Sequence, residues 1–230
     1  AGSVQWMTAG RGILHSEMPE QEEGLMQGFQ LWVNLPAKDK MTAPRYQDIA
    51  PERIPEVQPA EGVSVRVIAG TLDGTTGPVN AVATEPVYLD IALQPGATLS
   101  VPLPEGHNAF AYVFDGTDVW LAGERLARSE LAVLSQGDSV ELSAGDTAAR
   151  VLLVAGKPLN EPVAKYGPFV MNTREQIHEA IADLQAGRFG SIGGSASDSL
   201  LSGPPRRLKE QRDGAAGLWT KAPDPPPAAA

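Results

Sequence analysis

The feature that most constrains the fold is a succession of short apolar runs between residues 63 and 154, each closed by a turn signal. The runs are Val63–Ala69, Pro86–Leu93, Thr98–Leu103, Asn108–Phe114, Asp118–Ala122, Ser129–Leu134, Ser139–Leu142 and Ala148–Val154. Between them stand Pro95-Gly96, Glu105-Gly106, Asp115-Gly116, Gly137-Asp138 and Ala144-Gly145-Asp146, residue pairs that suit tight turns. Strands this short at nearly regular spacing must close on themselves or on a second sheet, because an open sheet would leave unpaired edges. The spacing predicts an all-β closed barrel or sandwich over residues 63–155.

Only one stretch departs from that pattern. Thr173 and Gln176 have capping-box spacing, and Ile177, Ala180, Ile181 and Leu184 form a helical stripe that ends before Gly187. One C-terminal helix is therefore expected, with His178 off its apolar stripe and exposed. Gly156 to Pro168 reads as a Gly/Pro loop leading into it. From Gly190 onward the composition shifts to Gly, Ser, Pro and Ala, with a small basic cluster at Arg206, Arg207, Lys209 and Arg212, so residues 191–230 are expected to be a mobile tail.

The amino-terminal stretch is organised differently. Val4 to Thr8 and Ile13 to Met18 read as two strands of a hairpin joined by the glycine turn Ala9-Gly10-Arg11-Gly12. Leu25 to Leu35 then alternates, with Leu25, Phe29, Leu31, Val33 and Leu35 on one side and Gln30 and Asn34 on the other. This is the pattern of a half-buried strand, whose aromatics Phe29 and Trp32 are expected to pack rather than to line a pocket. Pro36 to Pro59, rich in proline and charge, reads as a long structured connector, with Tyr46 and Ile49 as anchors.

Chemistry is suggested at one place. His15 and Glu17 flank Ser16, and in a strand the side chains at i and i+2 leave the same face. An imidazole and a carboxylate pointing the same way are half of a ligand set for a divalent transition metal. As a bare pattern HxE is weak, since solvated strand residues produce it more often than metal ligands do. His107 beside the Glu105-Gly106 turn has no second donor near it in sequence and is expected on the surface.

Composition removes other classes. The chain has 230 residues and no cysteine, which rules out disulfides, thiolate metal sites and cysteine nucleophiles. A net charge of −10 argues against direct nucleic-acid binding, which needs a basic face. No apolar run approaches the length of a membrane span, and the simplest setting is the cytoplasm.

The runs QWMTAGRGILHSEMP, GFQLWVNLP, KMTAPRYQDI and GPFVMNTREQIHEAI resemble the pirin family, a branch of the two-domain cupins, over Val4 to about Gly190. That resemblance implies paired β-barrels and, in the first barrel only, a metal, usually iron, held by three histidines and a glutamate. The last histidine and the glutamate fall on His15 and Glu17. It implies two further histidines from an HxH strand upstream of QWMTAG. The chain begins at Ala1, immediately before that segment, so those two ligands have no counterpart in it. The expected organisation is a remnant of the metal-binding barrel at 1–35, a connector at 36–62, a complete and metal-free barrel at 63–155, and a loop with packing helix at 156–190.

The resemblance also implies an activity, iron-dependent cleavage of flavonols of the quercetin 2,3-dioxygenase type, impaired here by the missing ligands. It would place Fe(II) on His15 and Glu17, with Glu17 also taking the substrate hydroxyl proton. The alternative it implies is a non-catalytic regulator that binds proteins of transcription or metabolism. An incomplete barrel would in addition expose strand edges, through which copies of the chain could pair. The C-terminal segment is expected to cross back onto the first barrel.

Overall fold

Two antiparallel sheets share one aliphatic interior. In this computed structural model residues 2–15, 27–79 and 83–189 are described. The strands in chain order are β1 (Val4–Thr8), β2 (Arg45–Ile49), β3 (Glu56–Val57), β4 (Val63–Ala69), β5 (Thr71–Leu72), β6 (Thr75–Thr76), β7 (Val87–Leu93) and β8 (Thr98–Pro102). They continue as β9 (Asn108–Asp115), β10 (Val119–Leu121), β11 (Glu124–Leu126), β12 (Leu131–Val133), β13 (Ser139–Ala144), β14 (Ala149–Gly156), β15 (Ala164–Tyr166) and β16 (Phe169–Met171). The one α-helix among the described residues, α1, spans Arg174–Gln185.

A six-stranded sheet has the order β12-β9-β14-β7-β4-β3, and a four-stranded sheet the order β11-β10-β13-β8. Alternation drives the assembly: along β8 and β13 every second residue is buried, and these inward residues meet those of β4, β7, β9 and β14. Val65, Val67, Leu89, Ile91, Val101, Val113, Val151 and Leu153 are all fully buried. At about 25 cal/mol per Å² such burial is the main force closing the barrel.

The amino-terminal residues pack on the outside of the six-stranded sheet. β1 pairs antiparallel with β2, Val4 opposite Ile49 and Thr8 opposite Arg45. Val4, Trp6 and Ile49 then cover Ile68 and Tyr88 in a second, smaller cluster with Ile54 and Val79.

Three sequence expectations change here. The first strand pairs with β2; of residues 13–18, read as its hairpin partner, only 13–15 are described, and they lie in no strand. At the turn, Gly12 N–H donates to the Ala9 carbonyl and Arg11 N–H to the Thr42 carbonyl, which ties the turn to the connector. Gly10 takes the left-handed conformation, φ +53°, and any Cβ there would run into the Thr42 carbonyl oxygen. Leu25 to Leu35, read as a half-buried strand, is assigned to no strand over its described part, 27–35, and is exposed from 27 to 33, whereas the connector is structured as read, with β2 and with β3 adding an edge to the larger sheet. Finally, the Gly/Pro loop contains a hairpin, β15 with β16, turned at Gly167.

The helix follows the sequence closely. Thr173 accepts from the Gln176 N–H, and the Gln176 side chain accepts from the Thr173 N–H, completing the capping box. Ile177 is its buried residue and His178 is exposed. As the resemblance implied, the C-terminal segment lies against the amino-terminal one. Phe189 packs beside Gly12, the Lys165 ammonium sits 5.6 Å from the Trp32 ring centre, and Glu161 accepts from the Ala37 N–H at 2.7 Å.

Candidate functional site

Of the two residues singled out as metal ligands, the structure describes one. His15 is exposed, just beyond the Ala9–Gly12 turn and outside any strand. Glu17 lies outside the described residues, so the shared facing of the pair is an inference from spacing. The segment that carries His15 is held from behind by the Arg11–Thr42 hydrogen bond and by Phe189.

The chain has two other histidines. His107 lies on the turn before β9, and its Nε2 is 3.2 Å from the Glu85 carbonyl oxygen. A carbonyl only accepts, so Nε2 carries the proton and Nδ1 is left as an acceptor. Nδ1 is buried without a partner among the described residues. His178 is on the exposed side of α1. No group of three His, Cys, Asp or Glu that could hold a metal occurs among the described residues.

The second barrel has no chemistry facing inward among the described residues. Its interior is filled by the Val, Leu, Ile and Ala side chains named above, which present no donor atom to a ligand. A cleft of about 610 Å³ opens at one end, lined by Thr71, Thr76, Glu85, Pro86, Pro102 and Pro104 among others. Its polar groups are already engaged: the Thr71 and Thr76 hydroxyls meet at 3.0 Å, and Glu85 pairs with Lys157 at 3.7 Å.

Two polar clusters that the sequence reading did not find hold the amino-terminal segments in place. Lys40 is buried, with 5% exposure, and its ammonium donates to Asn34 Oδ1 at 2.7 Å and to the Val170 carbonyl at 3.1 Å. Burial holds its pKa below the usual lysine value, and the nearby Glu161 carboxylate partly opposes that. On the outer sheet face, Asp90 lies between Arg150 at 2.6 Å and Arg66 at 3.9 Å, while Arg66 also donates to the Gly2 carbonyl. Arg150 stacks over Phe114 at 4.8 Å, and Phe29 packs edge-on against Phe114 and Tyr112. Each cluster joins residues far apart in sequence, so local pattern carries no signal for it.

Against known families, the profile described as Pirin C-terminal cupin domain matches residues 88–190, and the profile described as Pirin matches residues 1–33. A Pseudomonas aeruginosa protein named provisionally as a quercetin 2,3-dioxygenase is 50% identical over 193 residues, covering 81% of this chain and 67% of that one. The chain belongs to the pirin family. Human pirin is 45% identical, over 82% of this chain and 66% of its own length. A crystal structure of quercetin 2,3-dioxygenase from Acinetobacter baumannii superposes with a TM-score of 0.70 at 34% identity, covering 84% of this chain and 68% of that one. The chain thus spans about two thirds of the length of the pirins it matches. Within the family, the fold is the expected all-β cupin with one C-terminal helix. No helix among the described residues is long and apolar enough to cross a membrane.

The described residues place only part of the donor set that the resemblance implied. They offer one imidazole on the amino-terminal segment, and a transition-metal centre needs several converging donors.

Proposed function

We propose that this pirin serves oxygenative cleavage of a flavonol-like substrate, with His15 and Glu17 as its contribution to an iron(II) centre. The supporting observation is the 50% identity to the Pseudomonas aeruginosa relative, together with the Pirin match over residues 1–33, the stretch that contains both residues. The aliphatic filling of the second barrel supports the same assignment, because it leaves that barrel a scaffold. In this reading His15 contributes a neutral imidazole nitrogen, and Glu17 a carboxylate that also takes the proton of the substrate hydroxyl.

Oxygen uptake with a flavonol and added Fe(II) tests this. Turnover above that of free iron is expected, lost in Glu17→Gln and unchanged in His107→Ala. Turnover that survives Glu17→Gln, or none above free iron, would overturn it.

A second reading, a protein-binding role, draws on the exposed apolar residues Trp32, Val163 and Tyr166. Its mark is capture of a partner that neither His15→Ala nor Glu17→Gln disturbs.

A further inference from the structure

Gly12 meets more than its own turn. Its backbone takes φ +122°, and the face that a Cβ would fill is covered by the ring of Phe189, whose carbons lie 2.7–2.8 Å from that Cβ position. Any side chain at Gly12 would displace the ring or strain the backbone. His15 follows three residues later on the same segment.

What brings Phe189 to Gly12 is local chemistry at the end of α1. Gly187 is left-handed, φ +67°, and its N–H donates to the Leu184 carbonyl at 3.0 Å, while the Arg188 N–H donates to the Asp183 carbonyl at 2.9 Å. One bond closes inside the other, the Schellman termination of a helix, and together they fix the direction in which the chain leaves α1. The Arg188 guanidinium repeats the tie on the Asp183 carboxylate at 2.8 Å. Phe189 is the next residue, and its ring also meets Phe169 of β16 edge-on, with centres 6.1 Å apart.

The turn itself is held by two backbone bonds, Arg11 N–H to the Thr42 carbonyl at 2.9 Å and Gly12 N–H to the Ala9 carbonyl at 3.0 Å. Phe189 adds the packing that those bonds lack. Groups that orient a metal ligand from outside the coordination sphere are commonly worth 10- to 100-fold in metal affinity, because a ligand free to swing must be ordered each time it binds.

We propose that Phe189 is a positioning residue for His15: the capped end of the carboxy-terminal helix, acting through Gly12, sets the orientation of the segment that carries this ligand. The proposal rests on the reading of His15 as an iron ligand.

Amide hydrogen exchange and oxygen uptake test it on the full 230-residue chain, with Phe189→Ala and the ring-preserving Phe189→Tyr. Phe189→Ala is expected to speed exchange of the Arg11 and Gly12 amides about tenfold or more, and to leave those of Val151 and Leu153, inside the six-stranded sheet, unchanged. With a flavonol and added Fe(II), the iron concentration that gives half-maximal uptake is expected to rise about tenfold in Phe189→Ala. Phe189→Tyr restores both. Unchanged exchange at Arg11 and Gly12 would overturn the proposal, and so would faster exchange there with an unshifted iron requirement. Faster exchange at Val151 and Leu153 as well would show a general role in stability and overturn it too. An unmodified chain without turnover would instead overturn the iron reading, and this proposal with it, a result distinguished from the others because it precedes any substitution.

Discussion

The Lys40 ammonium donates to the Val170 carbonyl at 3.1 Å, joining two residues 130 positions apart. The same ammonium holds Asn34 at 2.7 Å, so one side chain ties the end of the exposed segment to the C-terminal hairpin. Lys40→Met is expected to destabilise the protein by about 1–3 kcal/mol, since it strands two part-buried acceptors. Urea unfolding measures this, and a loss near zero would mean that water replaces the ammonium without cost.

Two groups make stability depend on alkaline pH, in opposite directions. Lys40 titrates below its ordinary 10.5, mainly because burial disfavours its charge. Between its lowered pKa and 10.5 the unfolded chain holds a proton that the folded chain has released, so stability rises with pH over that window. Tyr88 titrates above its ordinary 10.0, because of burial first and the Asp90 carboxylate second. From 10.0 up to its raised pKa the unfolded chain loses the proton first, and stability falls. Tyr88→Phe should therefore leave only the rise, and Lys40→Met only the fall. Unfolding free energies measured from neutral pH to beyond 10.5 would show both, and identical profiles for the two variants would contradict the assignment.

Asp90 is 9% exposed and binds Arg150 and Arg66 beneath the amino-terminal segments. Asp90→Ala leaves two guanidinium groups without their carboxylate. The expected cost is about 1–3 kcal/mol, less than for a fully buried pair because Arg150 is nearly half exposed. Asp90→Asn should cost less than Asp90→Ala, because it keeps an acceptor for Arg150. Equal losses in the two variants would show that packing, not the ion pair, is what Asp90 provides.

The strands of the second barrel were legible because burial on one face writes a period of two into the sequence, and Pro-Gly or Asp-Gly pairs mark where each ends. The helix was legible from Thr173 and Gln176 for a similar reason, since its capping contacts are local. Pairing of Val4–Thr8 with Arg45–Ile49 was not, because register between distant strands leaves no local trace. The hairpin at 164–171 was missed because Gly167 and Pro168 suggest a loop as readily as a turn within one. Leu25–Leu35 was read as a half-buried strand, but its described part lies in no strand and is exposed from 27 to 33, because alternation alone does not supply a partner strand or a covering layer. At the candidate site, His15 was found by its spacing to Glu17, whereas Lys40 and Asp90 work through contacts that only the folded chain makes.

Iron analysis of the purified 230-residue chain tests the central claim most directly, namely that its described side chains bring together no donor set that closes a metal site. Well under one equivalent of iron is predicted, with His15→Ala changing that content little. One full equivalent that disappears on His15→Ala would contradict the account.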